Sequence, residues 1–490
     1  MPFRSVAFRV SGAVLTLLAL CPAVAGAVQH SESPHAEGVA RLAQQLPLVS
    51  VVPFLLLLLA IAVMPLFAGH WWEHNRNKAI VVACFTLPMV VYLGLVLGPA
   101  GRFVLEEKLI EYSAFMVLLA ALFTISGGIY IQGSLAGTPL VNSGMLAIGA
   151  VLANLIGTTG ASVVLIRPLL RANKPRRDKV HVVIFFIFVV SNCAGLLTPL
   201  GDPPLFLGFL MGVPFEWTLR LWPQWLLANA ALIVIFNIWD QIVLDREERQ
   251  RPGSQLEAVM KHEPFKIHGK RNLLLLLGVM AIILASGKGV GHAGQPWVFG
   301  VKEAMMVLLA VASYAMTPRE NHRRNEFTFG PIIEVAVLFA GIFVTMAPAL
   351  VILNAWGQGA REILGMSFGL HRPWQFFWAT GSLSSFLDNA PTYLTFSATA
   401  AGLEGVATGG RFLGEFLARG DAAARLLAAI STGAVFMGAN TYIGNGPNFM
   451  VKAIAESSGI KMPSFFGYMA YSGAVLLPLF VVVTLVFFRG

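Results

Sequence analysis

The sequence predicts an all-α polytopic membrane protein made of two inverted-topology repeats, each with a re-entrant hairpin and a broken transmembrane helix. Three observations lead there. Of 490 residues, 56% are hydrophobic and only 12% charged, with a mean hydropathy of +0.72, whereas about a quarter of the residues in soluble domains are charged. Next comes an internal repeat. SNCAGLLTPLGDPPLF at 191–206 returns as ANTYIGNGPNF at 439–449, so that Thr198, Gly201, Pro204 and Phe206 fall on Thr441, Gly444, Pro447 and Phe449 without a gap. Last, both copies interrupt apolar runs, and backbone opened within a bilayer survives only where it lines a cavity or meets an ion or substrate.

In chain order, residues 1–27 read as a signal peptide, with Arg4 and Arg9, an apolar core from Gly12 to Leu20, and Ala25-Gly26-Ala27 before the cut. That core is short of the ~20 residues a spanning helix needs, and an uncleaved first span is the alternative. Residues 28–45 form an outer N-terminal segment. Repeat 1 covers 46–244, with spans near 46–68, 79–98, 109–131, 180–213 and 223–244 and a hairpin at 141–170. The polar stretch 245–271 suits a cytoplasmic linker. Repeat 2 covers 272–490, with spans near 272–288, 301–316, 329–354, 421–458 and 465–488 and a hairpin at 374–401. The broken helices are 180–213 and 421–458, and the total is ten crossings.

Charge tests that count. Basic residues gather between alternate spans, at Arg76 and Lys78, from Arg171 to Lys179, from Arg246 to Arg271, and at Arg319, Arg323 and Arg324. The positive-inside bias then puts the mature N-terminus outside the cytoplasm, and five crossings per half give the halves opposite orientations. The net charge of +9 is therefore topological, and no nucleic-acid module is present. Cys21, Cys84 and Cys193 stand in apolar contexts without paired spacing, so neither a disulfide framework nor a zinc site is expected.

The hairpin tips carry the chemistry. One reads NLIGTTGAS, with Asn154, Thr158 and Thr159; the other reads SSFLDNAPT, with Ser385, Asp388 and Asn389. Small hydroxyl and amide residues beside Gly or Pro let the chain turn and present oxygens inward, which suits a hard cation such as Na+. Asp202, Thr198 and Asn192 from the first break, with Asn440, Thr441, Asn445 and Asn448 from the second, complete a ring of oxygen ligands containing two carboxylates, Asp202 and Asp388. An intramembrane carboxylate is a functional-site hypothesis by default. Burial favours its protonated form and a bound cation its ionised form, so such a group exchanges the two ions directly. The plainer reading is that Asp202 and Asp388 only cap the helices that follow them. Glu111 and Glu334, in the related stretches LIEYSAFMVLLAALF and IIEVAVLFAGIF, are candidates for a proton relay or simply face the interface. Arg167, His181, His371 and five tryptophans (Trp71, Trp72, Trp222, Trp225, Trp374) read as interfacial.

Over about Leu46 to Phe488 the chain resembles the ion transporter superfamily, which includes NhaD-type sodium/proton antiporters, dicarboxylate and citrate carriers, and arsenite permeases. TPLGDPP at Thr198 to Pro204 is similar to the antiporters' TPIGD motif, and DNAP at Asp388 to Pro391 to their DNVP motif. That resemblance implies a cation site at Thr198, Asp202, Asp388 and Asn389, and a homodimer. The sodium-coupled dicarboxylate carriers typically have Ser-Asn-Thr at both tips, where this chain has Gly-Thr-Thr and Leu-Asp-Asn. A carboxylate at a tip repels a dicarboxylate, which favours the antiporter branch. PPLF after Asp202 departs from the antiporters' Thr-rich continuation.

The expectation is thus a secondary transporter, not an enzyme, exchanging Na+ or Li+ for H+ across a bacterial inner membrane by alternating access. A Na+-coupled citrate or dicarboxylate symporter is the alternative. Its partners are the bilayer and the transported ions, with Na+ at Asp202 and Asp388 and no cofactor.

Overall fold

The computed structural model describes residues 45–134, 136–250, 263–292, 297–363 and 365–489. The expected signal peptide, the outer segment up to residue 44, Cys21 and residues 251–262 of the linker lie outside the described residues. The protein is nearly all helical, and among the described residues nine helices are long and apolar enough to cross a membrane. It is a multi-pass membrane protein.

The first helices are α1 (Val52–Phe67), α2 (Asn75–Val91) and α3 (Gly98–Gly127), followed by a strand, β1 (Tyr130–Ser134). Next comes α4 (Pro139–Ala172), which folds back on itself at Gly157. There φ is +77°, a left-handed conformation that glycine adopts without steric cost. Asn142 and Asn173, at the two feet, exchange side-chain hydrogen bonds of 2.9 and 2.8 Å, whereas a straight helix would hold them about 46 Å apart. Between the feet the arms pack closely, since a Cβ on Gly149 would lie 3.1 Å from Leu165 Cδ1.

The first broken helix comprises α5 (Val180–Val189), buried from His181 onward, and α6 (Pro203–Leu210). Pro203 and Pro204 sit in the first turn of α6, where a missing N–H leaves no bond unmade. A long helix, α7 (Trp222–Gln250), leads towards β2 (Glu263–His268), which pairs antiparallel with β1. The stretch read as a linker is thus helical up to Gln250 and extended from Glu263.

After α8 (Lys270–Gly287) and α9 (Val301–Met316) comes α10 (Gly330–Gly357), which packs against α1, α2 and α3. Phe115 of α3 stacks on Phe339 of α10 at 4.9 Å, and Tyr112 Oη donates to the Ala336 carbonyl at 2.9 Å. A second turned pair follows, α11 (Pro373–Ser384) and α12 (Asn389–Leu403), with α12 also packed on α10. The second broken helix is α13 (Asp421–Met437) and α14 (Gly446–Ser457), and α15 (Phe465–Phe487) is the last helix.

Nine long apolar helices differ from the ten crossings expected, for reasons visible in the elements. Helix α9 has only 16 residues, and the first broken helix is divided into pieces too short to span alone, whereas the first piece of the second, Asp421–Asn440, is long enough. The nine also include α4, whose 34 residues are two arms joined at Gly157.

Candidate functional site

The two breaks have the same local geometry. Asp202 and Asn445, which precede α6 and α14, are both extended, at φ/ψ −145°/145° and −151°/140°. Each break also brings two glycine backbones together. A Cβ on Gly201 would lie 2.3 Å from the Gly195 carbonyl oxygen, and one on Gly444 2.6 Å from that of Gly438. The threonine between them bonds a turned segment in both copies, Thr198 Oγ1 donating to the Asn154 carbonyl and Thr441 Oγ1 to the Ser385 carbonyl, each at 2.5 Å. Each break is thus stitched to its own turn.

Asp202 lies where these parts meet and is 1% exposed. Its Oδ1 accepts from Thr158 Oγ1 at 3.0 Å and from Asn445 Nδ2 at 3.3 Å, and its Oδ2 accepts from Asn389 Nδ2. Both turns and both breaks therefore contribute to one carboxylate, and among the described residues every side chain bonded to it is neutral. Asn445 Nδ2 also reaches Asn192 Oδ1 and the Ser191 carbonyl, each at 3.2 Å. Asn192 donates in turn to Asn448 Oδ1 at 2.7 Å, and Asn448 to the carbonyls of Gly438 and Thr441 at 2.8 and 2.9 Å. The amide of Thr158 donates to the Gly201 carbonyl at 2.9 Å, so the first turn is held by backbone as well.

The helix ends matter electrostatically. The starts of α6, α12 and α14 and of the second arm of α4 converge here, as do the ends of α5, α11, α13 and the first arm. Amide ends favour a carboxylate and carbonyl ends favour a cation, so the site suits an ionised acid beside a bound cation. Asn389 Oδ1 and Asn440 Oδ1 are buried oxygens with no hydrogen-bond partner among the described residues, available as ligands.

Of the residues expected at the site, Asp202, Asn389, Thr158, Asn445 and Asn192 come together in one network. Thr198, Thr441 and Asn440, which donates to Ser385 Oγ at 2.9 Å, form its supports. Asp388 does not bond to Asp202; its Oδ1 caps α12 by accepting from Ala390 N at 3.1 Å. Thr159 makes no hydrogen bond to the network among the described residues. Glu111 and Glu334 lie outside it as well. Lys108 holds Glu111 at 2.9 and 2.8 Å, and buried Lys78 holds Glu334 at 2.7 Å.

Several interfacial expectations are corrected by packing. His181 is buried, with Nε2 2.8 Å from Asp240 Oδ1. Arg167 pairs with Glu326 at 2.5 Å rather than reaching solvent alone. Trp72 is buried, and Trp225 donates to the Ala194 carbonyl beside the first break. Sequence reasoning also passed over Asp240, although an acid inside the apolar run 223–244 is itself a signal. Among the described residues no group of three or more His, Cys, Asp or Glu side chains could hold a metal ion.

Comparison with known proteins agrees with this architecture. No curated protein matches the chain. Residues 43–488 match the family described as "Putative citrate transport" (CitMHS_2). A match over nearly the whole length, on a chain of membrane-spanning helices around two interrupted ones, places it plainly: the protein belongs to this citrate transporter-like family of secondary transporters and is not an enzyme.

Proposed function

We propose that the protein exchanges Na+ (or Li+) for H+ across a bacterial inner membrane, with Asp202 as the ion-carrying carboxylate. The observation that carries this reading is that a single buried acid, bonded to the neutral side chains of Thr158, Asn389 and Asn445, joins all four interrupted segments. A carboxylate so placed binds a cation or a proton, and the two compete for it. Thr198, Asn192, Asn440 and Thr441 hold the segments, and Asp388 adds a second negative charge at the neighbouring tip.

In this reading the halves are inverted repeats, and α4 and the α11–α12 pair are re-entrant hairpins entering from opposite sides. The Asn142–Asn173 pairing and the matched break geometry support it. Turns and breaks move together against the remaining spans, giving alternating access. The basic loops put the mature N-terminus in the periplasm, and the superfamily resemblance implies a homodimer.

The family description favours a second reading, citrate symport. Among the described residues no cationic side chain bonds to the Asp202 network, so citrate would enter only with accompanying cations. One experiment separates the readings: purified protein in liposomes containing a pH dye, an imposed pH gradient, and Na+, Li+, K+ or citrate added in turn. Collapse of the gradient by Na+ or Li+ alone, absent in Asp202→Asn, is the expected result. A response only to citrate and Na+ together transfers the function to the symporter, and full exchange in Asp202→Asn removes Asp202 from the mechanism.

A further inference from the structure

A second buried polar cluster sits at the feet of α4, about 24 Å along the arms from its turn. Its centre is Asp240 of α7, fully buried. Asp240 Oδ2 accepts from Asn142 Nδ2 at 2.9 Å, and its Oδ1 meets His181 Nε2 at 2.8 Å and Arg176 Nη2 at 2.9 Å. Arg176 spans further, from Nε to Glu247 Oε2 at 3.0 Å and from Nη1 to the Gly137 carbonyl at 3.2 Å. Glu247 Oε1 accepts from the Asp178 amide at 2.6 Å. Asn142 and Asn173 close the knot across the two feet.

Stability alone does not explain four ionisable groups here, because a buried ion pair is often no better than a well-packed apolar substitute. Its best-attested use is to set register. The arms of α4 meet through apolar surface around Gly149 and Leu165, and apolar contact is non-directional. Hydrogen bonds to a fixed carboxylate are directional. Asp240 hydrogen-bonds the first foot and the start of α5 and forms an ion pair with Arg176 in the chain leaving the second foot, so three points of the first half are referred to one atom group on α7.

We propose that this knot is a positioning device for the ion site. Asp240 sets the register of both arms of α4 against α7, and thereby delivers Asn154 and Thr158 to the break that carries Asp202. Asp240 and Asn142 are positioning residues, not ligands. The inference rests on the reading of Asp202 as the ion site.

The test uses the full chain and two readouts. In Asn142→Ala, hydrogen exchange of peptides covering 154–162, whose Thr158 amide bonds the Gly201 carbonyl, is expected to rise about tenfold. Half-saturating Na+ for proton movement in liposomes should rise about tenfold, with the maximal rate within a factor of two. Leu140→Ala, an exposed change at the same foot, should alter neither. If Asn142→Ala is not recovered from membranes, Asn173→Ala breaks the same pairing and should give the same signature. Faster exchange confined to 137–144 and 173–181, with half-saturating Na+ unmoved, would overturn the proposal. If the wild type itself ignores Na+, the antiport reading falls, while exchange at 154–162 still decides whether the knot positions the turn.

Discussion

Moving the site's carboxylate from one break to the other tests whether the two copies are equivalent. Asn445 Nδ2 lies 3.3 Å from Asp202 Oδ1, so Asn445→Asp sets a second carboxylate oxygen at about that distance with almost no change of shape. Two full charges at 3.3 Å repel by about 5 kcal/mol at an effective dielectric constant of about 20. That is between three and four orders of magnitude against both carboxylates being ionised together. The change also removes the donor from the Ser191 carbonyl and Asn192 Oδ1. Exchange at pH 7 is expected to fall at least tenfold. The double variant Asp202→Asn/Asn445→Asp returns a single carboxylate to the same place from the other helix. There the Asn389 side chain, whose Oδ1 has no hydrogen-bond partner among the described residues, can turn its amide so that this oxygen accepts from the amide introduced at position 202. The double variant should therefore exceed Asp202→Asn at least tenfold in Na+-driven proton movement in liposomes, at equal protein content. An active Asn445→Asp, or a double variant as silent as Asp202→Asn, would refute the equivalence of the two breaks.

Four further outcomes are expected. Gly201→Ala drives a Cβ to 2.3 Å from a backbone oxygen, a clash worth about 2 kcal/mol or more; thermal unfolding in detergent should fall by about 2 °C, whereas Gly446→Ala, with open space around it, should not lower it. Thr198→Val and Thr441→Val each remove a 2.5 Å bond between break and turn, costing about 1 kcal/mol apiece, and Thr441→Val also takes the acceptor from the Ile443 and Gly444 amides; Na+ affinity is expected to fall in both and further in Thr441→Val, and a loss in only one would show that the other threonine is no support. Glu334→Gln leaves the buried Lys78 ammonium without its charge partner and should lower stability without moving half-saturating Na+; a changed rate of proton movement would instead make Glu334 part of a relay. In the short helix Arg319–Arg324, Arg323 and Arg324 hold the Glu320 carboxyl below its ordinary 4.5. Because that folded-state value is depressed, its stabilisation is complete above 4.5 and is lost as pH falls through the lower value. Amide protection there should fade on acidification in the wild type and not in Glu320→Gln; an identical acid response in both would dismiss the pairing.

Much of this protein is written in local sequence. Apolar runs long enough to span a bilayer announce a membrane chain whatever their packing, because the requirement is set by bilayer thickness. The interruptions were equally legible: Gly and Pro at matching offsets have a local backbone consequence, and Asp202 and Asn445 indeed share one extended geometry. What residues 191–206 and 439–449 could not show is who meets whom. That Asn389, 187 positions away, rather than Asp388 bonds Asp202 depends on which side of the α12 N-terminus faces the break, a matter of packing and not of residue type. Glu111 and Glu334 read along the chain as relay candidates or interface-facing acids, and only the fold brings Lys108 and Lys78 against them. His181 looked interfacial because it stands at a span end, yet α7 brings Asp240 over it. Periodicity and turn chemistry act over a few residues and can be read along the chain; charge pairing and hydrogen-bond networks act across space, and only the tertiary structure decides them.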